Sequence, residues 1–567
     1  MLSLKDGYED SQELLKCRKK VTQLYSDRSK YEPLWRRLSR YINPYRGRFH
    51  EEGGNREGSR RDYSLLDTFP TRSVNRCSAG LHSGLSSPAQ RWFKLGLKDE
   101  ELARYYTVKL WLNQVEDILY KVHAQNNTYA MLDNLYAELP QFGTGASMMY
   151  LDYERGVYHK NYTCGEYAAG ADCFGRVTNF CRKMSYNAEQ LVGHFGIDNV
   201  SAAVKTAYNS NDLSQKFTVY MLVEKNLSYD PDRIGIGNFP WKAYYWEKGM
   251  EHRFLKIAGH HEQPFIFARW ALVSNEVYGI GAGHTVLGDC MGLQKLAEAK
   301  LRGVDNDVDP AMVFPSSFKR LDTRPGAKNM VPDGTQMQAY PVIAPGQKRL
   351  DGVLSTVLDV RQAIKEGFFE DLMLMMAQSD RNPQMTAREV AERHQEKLMI
   401  LGPILEQFQN EVLSPLTLRT FGICHRHGLL PPMPEEVSEA DLQVEFTSLL
   451  AQAQKEVAQP AIDSTIGFAG NLASIHPEVL DNIDFDQALR ITADNKGAPE
   501  RILRSEEEVQ KLREERAAAQ AQQAQMEQAA QMAPAAREGA EAARLLSEVN
   551  TGDGSNALDA ILGGGVG

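Results

Sequence analysis

The chain has 567 residues, of which 42% are hydrophobic and 24% charged. This globular composition and length suit roughly three or four domains. The net charge of -10 excludes a polycation that binds nucleic acid with its whole surface. The N-terminus is too charged for a signal peptide, and no apolar run approaches the ~18 residues of a membrane span, so we expect a soluble, unexported protein.

The N-terminal region is predicted to be helical and basic. Apolar residues at helical spacing predict helices over 9–43, 71–88 and 108–127. Residues 1–100 hold 20 basic and 13 acidic side chains, with the arginines concentrated between Arg28 and Arg76. This excess indicates a solvated or subunit-facing surface or, alternatively, a surface that contacts phosphate.

The periodicity changes after Phe142. Alternating aromatic and β-branched residues with intervening turns predict a small antiparallel sheet region, and two short helices interrupt it at 187–196 and 199–209. The first 283 residues are therefore predicted to form an α+β domain, within a chain that is mainly helical.

Two long helices follow, separated by an insertion. An apolar stripe predicts a helix over 284–302, and apolar spacing of three and four predicts a second over 353–377, ~37 Å long. The segment between them, 309–350, holds six prolines and has six basic and three acidic residues, which predicts a basic strand-and-loop insertion.

A polar break follows the second of these helices. Pro383 and the capping box of Thr386 and Glu389 indicate that one helix stops and another starts around 378–385. Pro403 is expected to bend the new helix. The last helical segments become Ala- and Gln-rich, and 549–567 are predicted to be disordered.

Motifs that carry chemistry are scarce. The sequence has no phosphate-binding P-loop and no nucleophile elbow. The glycines of "YGIGAG" favour a tight strand-to-helix corner over a dinucleotide turn, because the G-x-G-x-x-G spacing is missing. His260 and His261 are predicted at a loop or strand end, and the cysteines 164, 173 and 181 lack zinc-site spacing. We expect a non-enzymatic protein without cofactor or metal.

A family resemblance adds what composition does not provide. From about Tyr31 to Val509 the chain resembles, in one colinear order, the head-to-tail connector or portal proteins of short-tailed (podovirus) bacteriophages. The blocks that carry the resemblance include "DTFPTRSVNRCSAGLHSGLSSPAQRWFKL", "LPQFGTGASMMYLD", "YGIGAGHTVLGDCMGLQKL" and "RNPQMTAREVAERHQEKLMILGPILEQFQNEVLSPLTLRTFGI". Ala282 departs from the family, which often has proline after the glycine turn.

The resemblance implies a dodecameric ring at one capsid vertex of the virion, assembled in the host cytoplasm. Double-stranded DNA would pass through its central channel during packaging and ejection. The implied partners are a separate terminase ATPase, major capsid and scaffolding proteins, and tail adaptor or tail tube proteins, with no membrane.

By similarity the chain divides into the consecutive regions of the portal fold. They are the wing (1–283), stem helix 1 (284–308), the clip (309–350), stem helix 2 (351–377), a channel loop (378–385), a long kinked wing helix (386–430), the crown (431–516) and an Ala/Gln-rich, disordered tail (517–567). Asp380, Arg381 and Asn382 would form the tip of the loop that faces DNA. Lys319, Arg320, Arg324 and Lys328 would dock terminase and then tail proteins.

Alternatives remain open for both sites and for the whole chain. The channel loop is otherwise a plain helix-helix hinge, and the clip cations otherwise pair with neighbouring subunits. The rival functions are a filament or scaffold protein that assembles through its C-terminal helix, and an enzyme with an unrecognised site.

Overall fold

The computed structural model describes most of the chain and divides it into two units, 1–458 and 459–567. The described residues are 2–6, 10–49, 65–99, 102, 105–152, 156–233, 237–250, 252–308, 312–313, 340–341, 347–377, 402–434, 437, 442–447, 459–473, 476–495, 504 and 506–548. Helix and sheet are mixed, as predicted.

The N-terminal unit begins with helices that alternate with strands. Helices α1 to α7 span Ser11–Ser29, Glu32–Tyr41, Phe69–Leu85, Tyr106–Gln125, Thr128–Phe142, Ala188–Phe195 and Ala202–Asn209. Strands β1 to β10 span Leu2–Asp6, Phe93–Leu97, Thr144–Asp152, Gly156–Tyr162, Tyr167–Ala171, Val177–Asn187, Lys216–Lys225, Trp241–Glu247, Lys256–His260 and Phe265–Arg269. The two short helices expected within the sheet region are confirmed as α6 and α7.

The sequence predicted one small sheet region, and the structure has two antiparallel sheets there. One has six strands in the order β1-β9-β8-β7-β6-β5, and the other has the order β10-β3-β4. Their aromatic side chains meet in one core, where the rings of Phe180 and Phe265 stack 5.1 Å apart and both are fully buried. The opposite face of the larger sheet is covered by α1 through Leu14, Cys17 and Val21, which repeat at helical spacing.

A glycine-lined corner connects β10 to the next helix. A Cβ on Gly281 would lie 2.6 Å from the carbonyl oxygen of Leu139, and one on Gly279 would lie 2.4 Å from the carbonyl oxygen of Gly143. The glycines therefore allow two backbone segments to touch, which only residues without a side chain permit. This is the tight strand-to-helix corner that the sequence predicted.

The two long helices predicted on either side of the insertion form a helical hairpin. Helix α8 spans Ala282–Val308 and α9 spans Gln347–Gly367. The two run antiparallel, because Gly367 at the end of α9 packs against Val286 near the start of α8. Between them, β11 (Met312–Val313) pairs antiparallel with β12 (Tyr340–Pro341).

The predicted continuous helix over 353–377 is wrong. The chain breaks after Gly367 and resumes as α10, Glu370–Ala377. At the break Phe369 has a φ of +56°, a conformation that is rare for a bulky side chain. Glycine at 367 and the burial of Phe368 favour this break over a continuous helix.

The remaining part of the N-terminal unit is a helix followed by a strand. Residues 402–408 are α-helical, Gln409–Leu413 form a π-bulge, and α11 spans Ser414–Arg426. The bulge lies just before Pro415, which lacks the N–H that an ordinary helix would offer to Glu411. Strand β13, Leu442–Phe446, pairs antiparallel with β2, although its residues fall within the range predicted as crown.

The C-terminal unit is helical in its described residues. Helices α12 to α14 span Gln459–Ala473, Phe485–Asn495 and Glu506–Glu548, with a 3-10 turn at Pro477–Asn482. The helical character predicted for the Ala- and Gln-rich segment is confirmed, and the helix continues to Glu548 within the range given as tail, which the strong helix propensity of Ala, Gln, Glu and Arg explains. Residues 549–567 lie outside the described residues.

Candidate functional site

The segment that precedes the predicted channel loop is anchored to α3 by a buried carboxylate. Glu370 opens α10, is fully buried, and accepts a hydrogen bond of 2.8 Å from the Ser73 hydroxyl on α3. It also pairs with the Arg76 guanidinium, whose side chain is half exposed. One turn later Met373 lies directly over Gly80, where a Cβ would approach it to 2.5 Å. These contacts fix the position of α10 on α3.

The hairpin of α8 and α9 is fixed to the same region by a glutamine and an arginine. The Gln294 side chain on α8 accepts from the backbone N–H groups of Leu66 and Asp67 and donates to the Asp67 carbonyl at 2.7 Å. From α9, Arg361 donates to the Asp67 carboxylate at 2.7 Å. Both helices of the hairpin therefore hold the segment that leads into α3.

An aromatic cluster links the two flanks of the predicted loop. The Trp270 indole stacks on Phe369 at 6.3 Å and meets Phe408 edge-on at 5.6 Å. Phe369 precedes α10, and Phe408 lies just before the π-bulge, so one side chain contacts both flanks. Trp270 and Phe408 are buried, and such ring pairs contribute about 0.5–1.5 kcal/mol beyond their burial.

The segment that follows the predicted loop is anchored by a buried ion pair. Glu411, in the π-bulge, accepts hydrogen bonds of 2.8 Å from the backbone N–H and from the Nε of Arg269 at the end of β10. Arg269 also donates to the Gly175 carbonyl at 3.0 Å. Burial raises the pKa of the Glu411 carboxyl, and it outweighs the opposing effect of Arg269. The π-bulge therefore places a carboxylate on the sheet edge.

These contacts hold both flanks of the predicted loop. Residues 370–373 and 408–411 are attached to one body made of α3, β10 and the hairpin of α8 and α9, and the predicted loop lies between them in sequence. Of that connecting stretch, 378–401 lie outside the described residues. This geometry can hold both ends of the predicted loop at a fixed place on α3 and β10.

Comparison with known proteins identifies the family. The family model "Bacteriophage head to tail connecting protein" matches residues 15–503. The chain belongs to the bacteriophage head to tail connecting protein family. It is 37% identical over 505 residues to the "Probable portal protein" of Bordetella phage BPP-1, covering 88% of this chain and 90% of the relative.

Two further comparisons differ greatly in strength. The "Portal protein" of Salmonella phage epsilon15 is 33% identical over 551 residues, covering 96% of this chain and 97% of the relative. The neck of an empty gene transfer agent particle matches with a TM-score of 0.36 and 11% identity over 75% of this chain and 93% of that chain, a likeness too distant to bear on the assignment. The function of this connector is that of a phage portal protein, a structural component that joins head and tail.

The residues predicted to face DNA or to dock other proteins lie outside the described part of the chain. This holds for the loop tip Asp380, Arg381 and Asn382, and for the clip cations Lys319, Arg320, Arg324 and Lys328. The anchors that flank the loop and the β11-β12 pair at the ends of the clip are described. Both sets of site residues stay predictions.

Several described arginines of the basic N-terminal stretch pair within the chain. Arg28 is buried and donates to the Gly165 carbonyl at 2.7 Å, and Arg46 pairs with Glu138 at 3.2 Å. Arg76 pairs with Glu370, as above. These three arginines make structural contacts within the chain, and both interpretations of the basic stretch, as a solvated or subunit-facing surface or as a surface that contacts phosphate, stay predictions.

The other residues weighed for chemistry are also placed. His260 ends β9, as predicted, and is buried. Cys164 and Cys181 are buried and Cys173 is exposed. Within the described residues, no group of three or more His, Cys, Asp or Glu side chains could hold a metal ion. None of the described helices combines the length and apolarity needed to cross a membrane.

Sequence reasoning missed the anchors themselves. The Ser73–Glu370 and Arg269–Glu411 contacts join residues 297 and 142 positions apart, and one sequence gives no sign that these carboxylates converge on a partner. One local signal was present, since Pro415 in a helical pattern predicts a local irregularity.

Proposed function

We propose that twelve copies of this chain form a ring at one capsid vertex, with an axial channel for double-stranded DNA during packaging and ejection. The observation that supports this proposal is the exposed apolar surface of the proposed stem, the hairpin of α8 and α9. Its described outer part leaves apolar side chains exposed, namely Leu301 at 53%, Val304 at 39%, Val308 at 77% and Leu358 at 64%. Exposed apolar side chains on a packed hairpin fit contact with neighbouring subunits.

A complementation experiment tests the portal role. A phage that lacks this gene should produce heads without packaged DNA, and the full chain supplied in trans should restore filled heads with tails. A stem variant, L301D/L358D, should fail to restore them. A variant at an exposed wing residue, L227D, whose side chain is 93% exposed, serves as the control. Filled, tailed heads in the absence of the gene would contradict the proposal.

The segment 378–385 is proposed to be the loop that faces DNA, with Asp380, Arg381 and Asn382 at its tip. Its two flanks are attached to one body, which supports a fixed position, and the net negative charge of the chain favours sliding over tight phosphate contact. Alanine at the three positions should lower the amount of DNA packaged or retained per head. The matched control is alanine at the exposed wing residues Asp230, Asp232 and Arg233. Normal packaging and ejection would favour a plain hinge.

The clip, 309–350, is proposed to dock terminase during assembly and tail proteins afterwards. Lys319, Arg320, Arg324 and Lys328 would make these contacts. Charge reversal at Arg320 and Arg324 should reduce packaging or tail attachment while rings still form. Loss of rings would favour pairing between subunits instead, and normal packaging with normal tails would contradict docking.

We propose the wing, stem, clip and crown with the boundaries that the family resemblance implies, apart from the boundary between wing and crown. Strand β13 pairs with β2 of the wing range, so the wing would include residues 442–446. In this proposal the chain has no catalytic role, and a separate terminase hydrolyses ATP.

A further inference from the structure

A polar cleft of 420 Å³ lies in the wing, apart from the stem and the loop anchors. Its charged lining consists of Arg46, Arg48, Lys160, Arg182, Glu138 and Glu166. Four basic side chains against two acidic ones leave an excess of positive charge. The cleft therefore offers a recessed surface with an excess of basic side chains.

The two carboxylates are already engaged by other groups. Glu138 accepts from Arg46 at 3.2 Å, from the Thr163 hydroxyl at 2.9 Å and from the backbone N–H of Cys164 at 3.0 Å. Glu166 pairs with Arg48 at 3.1 Å. Glu138 is therefore satisfied by three donors, and Glu166 is shared between Arg48 and the more distant Arg182.

Those two cations are only weakly paired within the chain. The ammonium group of Lys160, half-buried on β4, makes no hydrogen bond or ion pair of its own with any described residue, and only the more distant charge of Glu166 favours its charged form. Arg182 on β6 lies 4.0 Å over the Tyr162 ring, and its nearest carboxylate oxygen, on Glu166, is 3.7 Å away. Its buried Nε has no hydrogen-bond partner among the described residues.

Such an arrangement is unfavourable unless an anion completes it. Donors that leave water without gaining a partner cost free energy, and charged donors cost most. Burial, and next the charge of Arg182, lower the pKa of the Lys160 ammonium. An oxyanion in the cleft would supply acceptors to both groups.

We propose that this cleft binds one phosphate-class oxyanion, with Lys160 and Arg182 as its charged ligands. A DNA backbone fits less well, because a duplex carries one charge per ~1.7 Å of its axis and its further phosphates would meet Glu138 and Glu166. The ligand class is therefore a single free oxyanion. This inference does not depend on the ring or on the channel.

Binding of inorganic phosphate to the full chain, by calorimetry at constant ionic strength in chloride buffer, tests the proposal. We expect one site per chain and a loss of about tenfold or more in affinity for K160M. The variant K160R should retain binding. The control is K183M, because Lys183 follows Arg182 on β6, points to the opposite face and does not line the cleft.

Circular dichroism and oligomer mass, compared without phosphate, verify that the variants fold. Absence of saturable binding by the folded wild-type chain would overturn the proposal, as would equal losses in K160M and K183M. Displacement of phosphate by a short DNA duplex at equal phosphate-group concentration would overturn the assignment to a free oxyanion.

Discussion

Replacement of Glu411 by Gln should release the downstream anchor of the predicted channel loop. The wild-type carboxylate lies 2.8 Å from both the backbone N–H and the Nε of Arg269. The side chains are only 15% and 7% exposed, respectively. E411Q keeps the shape but leaves the Arg269 cation without its counter-charge, and loss of one partner of a buried pair costs about 3–5 kcal/mol.

Hydrogen exchange measured by mass spectrometry reports this loss locally. If the π-bulge opens at lower free energy, amides of 409–413 should exchange about 150 to 5000 times faster, since each 1.4 kcal/mol is roughly a factor of ten. The matched control is E298Q, which removes the partner of Arg302 in an exposed pair on α8. Exposed ion pairs contribute less than about 1 kcal/mol, so amide exchange around residue 298 should change little in E298Q.

The double variant R269M/E411L separates the charge from the packing. Apolar replacement of both partners removes the buried cation together with its counter-charge, so the double variant should be protected better than E411Q. Protection in E411Q equal to that in E298Q would refute the view that this pair anchors the loop.

Three further predictions follow from the described contacts and the proposed ring. G281A should lower the free energy of unfolding by about 1–3 kcal/mol, because its Cβ would meet backbone atoms at 2.6 and 2.7 Å. G288A, in open space on α8, should not lower it. Thermal denaturation of both variants measures the difference. Burial lowers the pKa of His123 to about 4 and of His159 to about 3. As the pH falls, the unfolded chain therefore binds protons before the folded chain does, so the free energy of unfolding should fall below pH ~6.5. The loss should reach up to about 1.4 kcal/mol per histidine per pH unit. Urea midpoints at pH 7 and 5 measure this effect, and an unchanged midpoint would contradict it. H159Q should reduce the effect by only a part, because burial also lowers the pKa of His260 and His284. Deletion of 517–567 should leave rings intact by native mass spectrometry, and their loss would favour the filament or scaffold alternative.

Sequence patterns predicted local elements well where one face of a segment is buried. Helix α8 was predicted from its apolar stripe, and the glycine corner from glycines at 279, 281 and 283 next to a strand. Helix α5 was not predicted, because Pro140 near its end obscured a leucine spacing that is otherwise helical.

Tertiary contacts decided the features that the sequence did not predict. The break at Phe369 places its ring on Trp270, a partner 99 positions earlier, and the strand pairing of β13 with β2 joins distant segments. Period and propensity describe neighbours along the chain, so neither reveals which distant carboxylate Arg269 will meet.

Native mass spectrometry of the purified chain, combined with negative-stain electron microscopy, tests the ring most directly. The proposal predicts closed rings of about twelve subunits around an open channel across a range of salt concentrations. A stable monomer or small dimer under all of these conditions would contradict it.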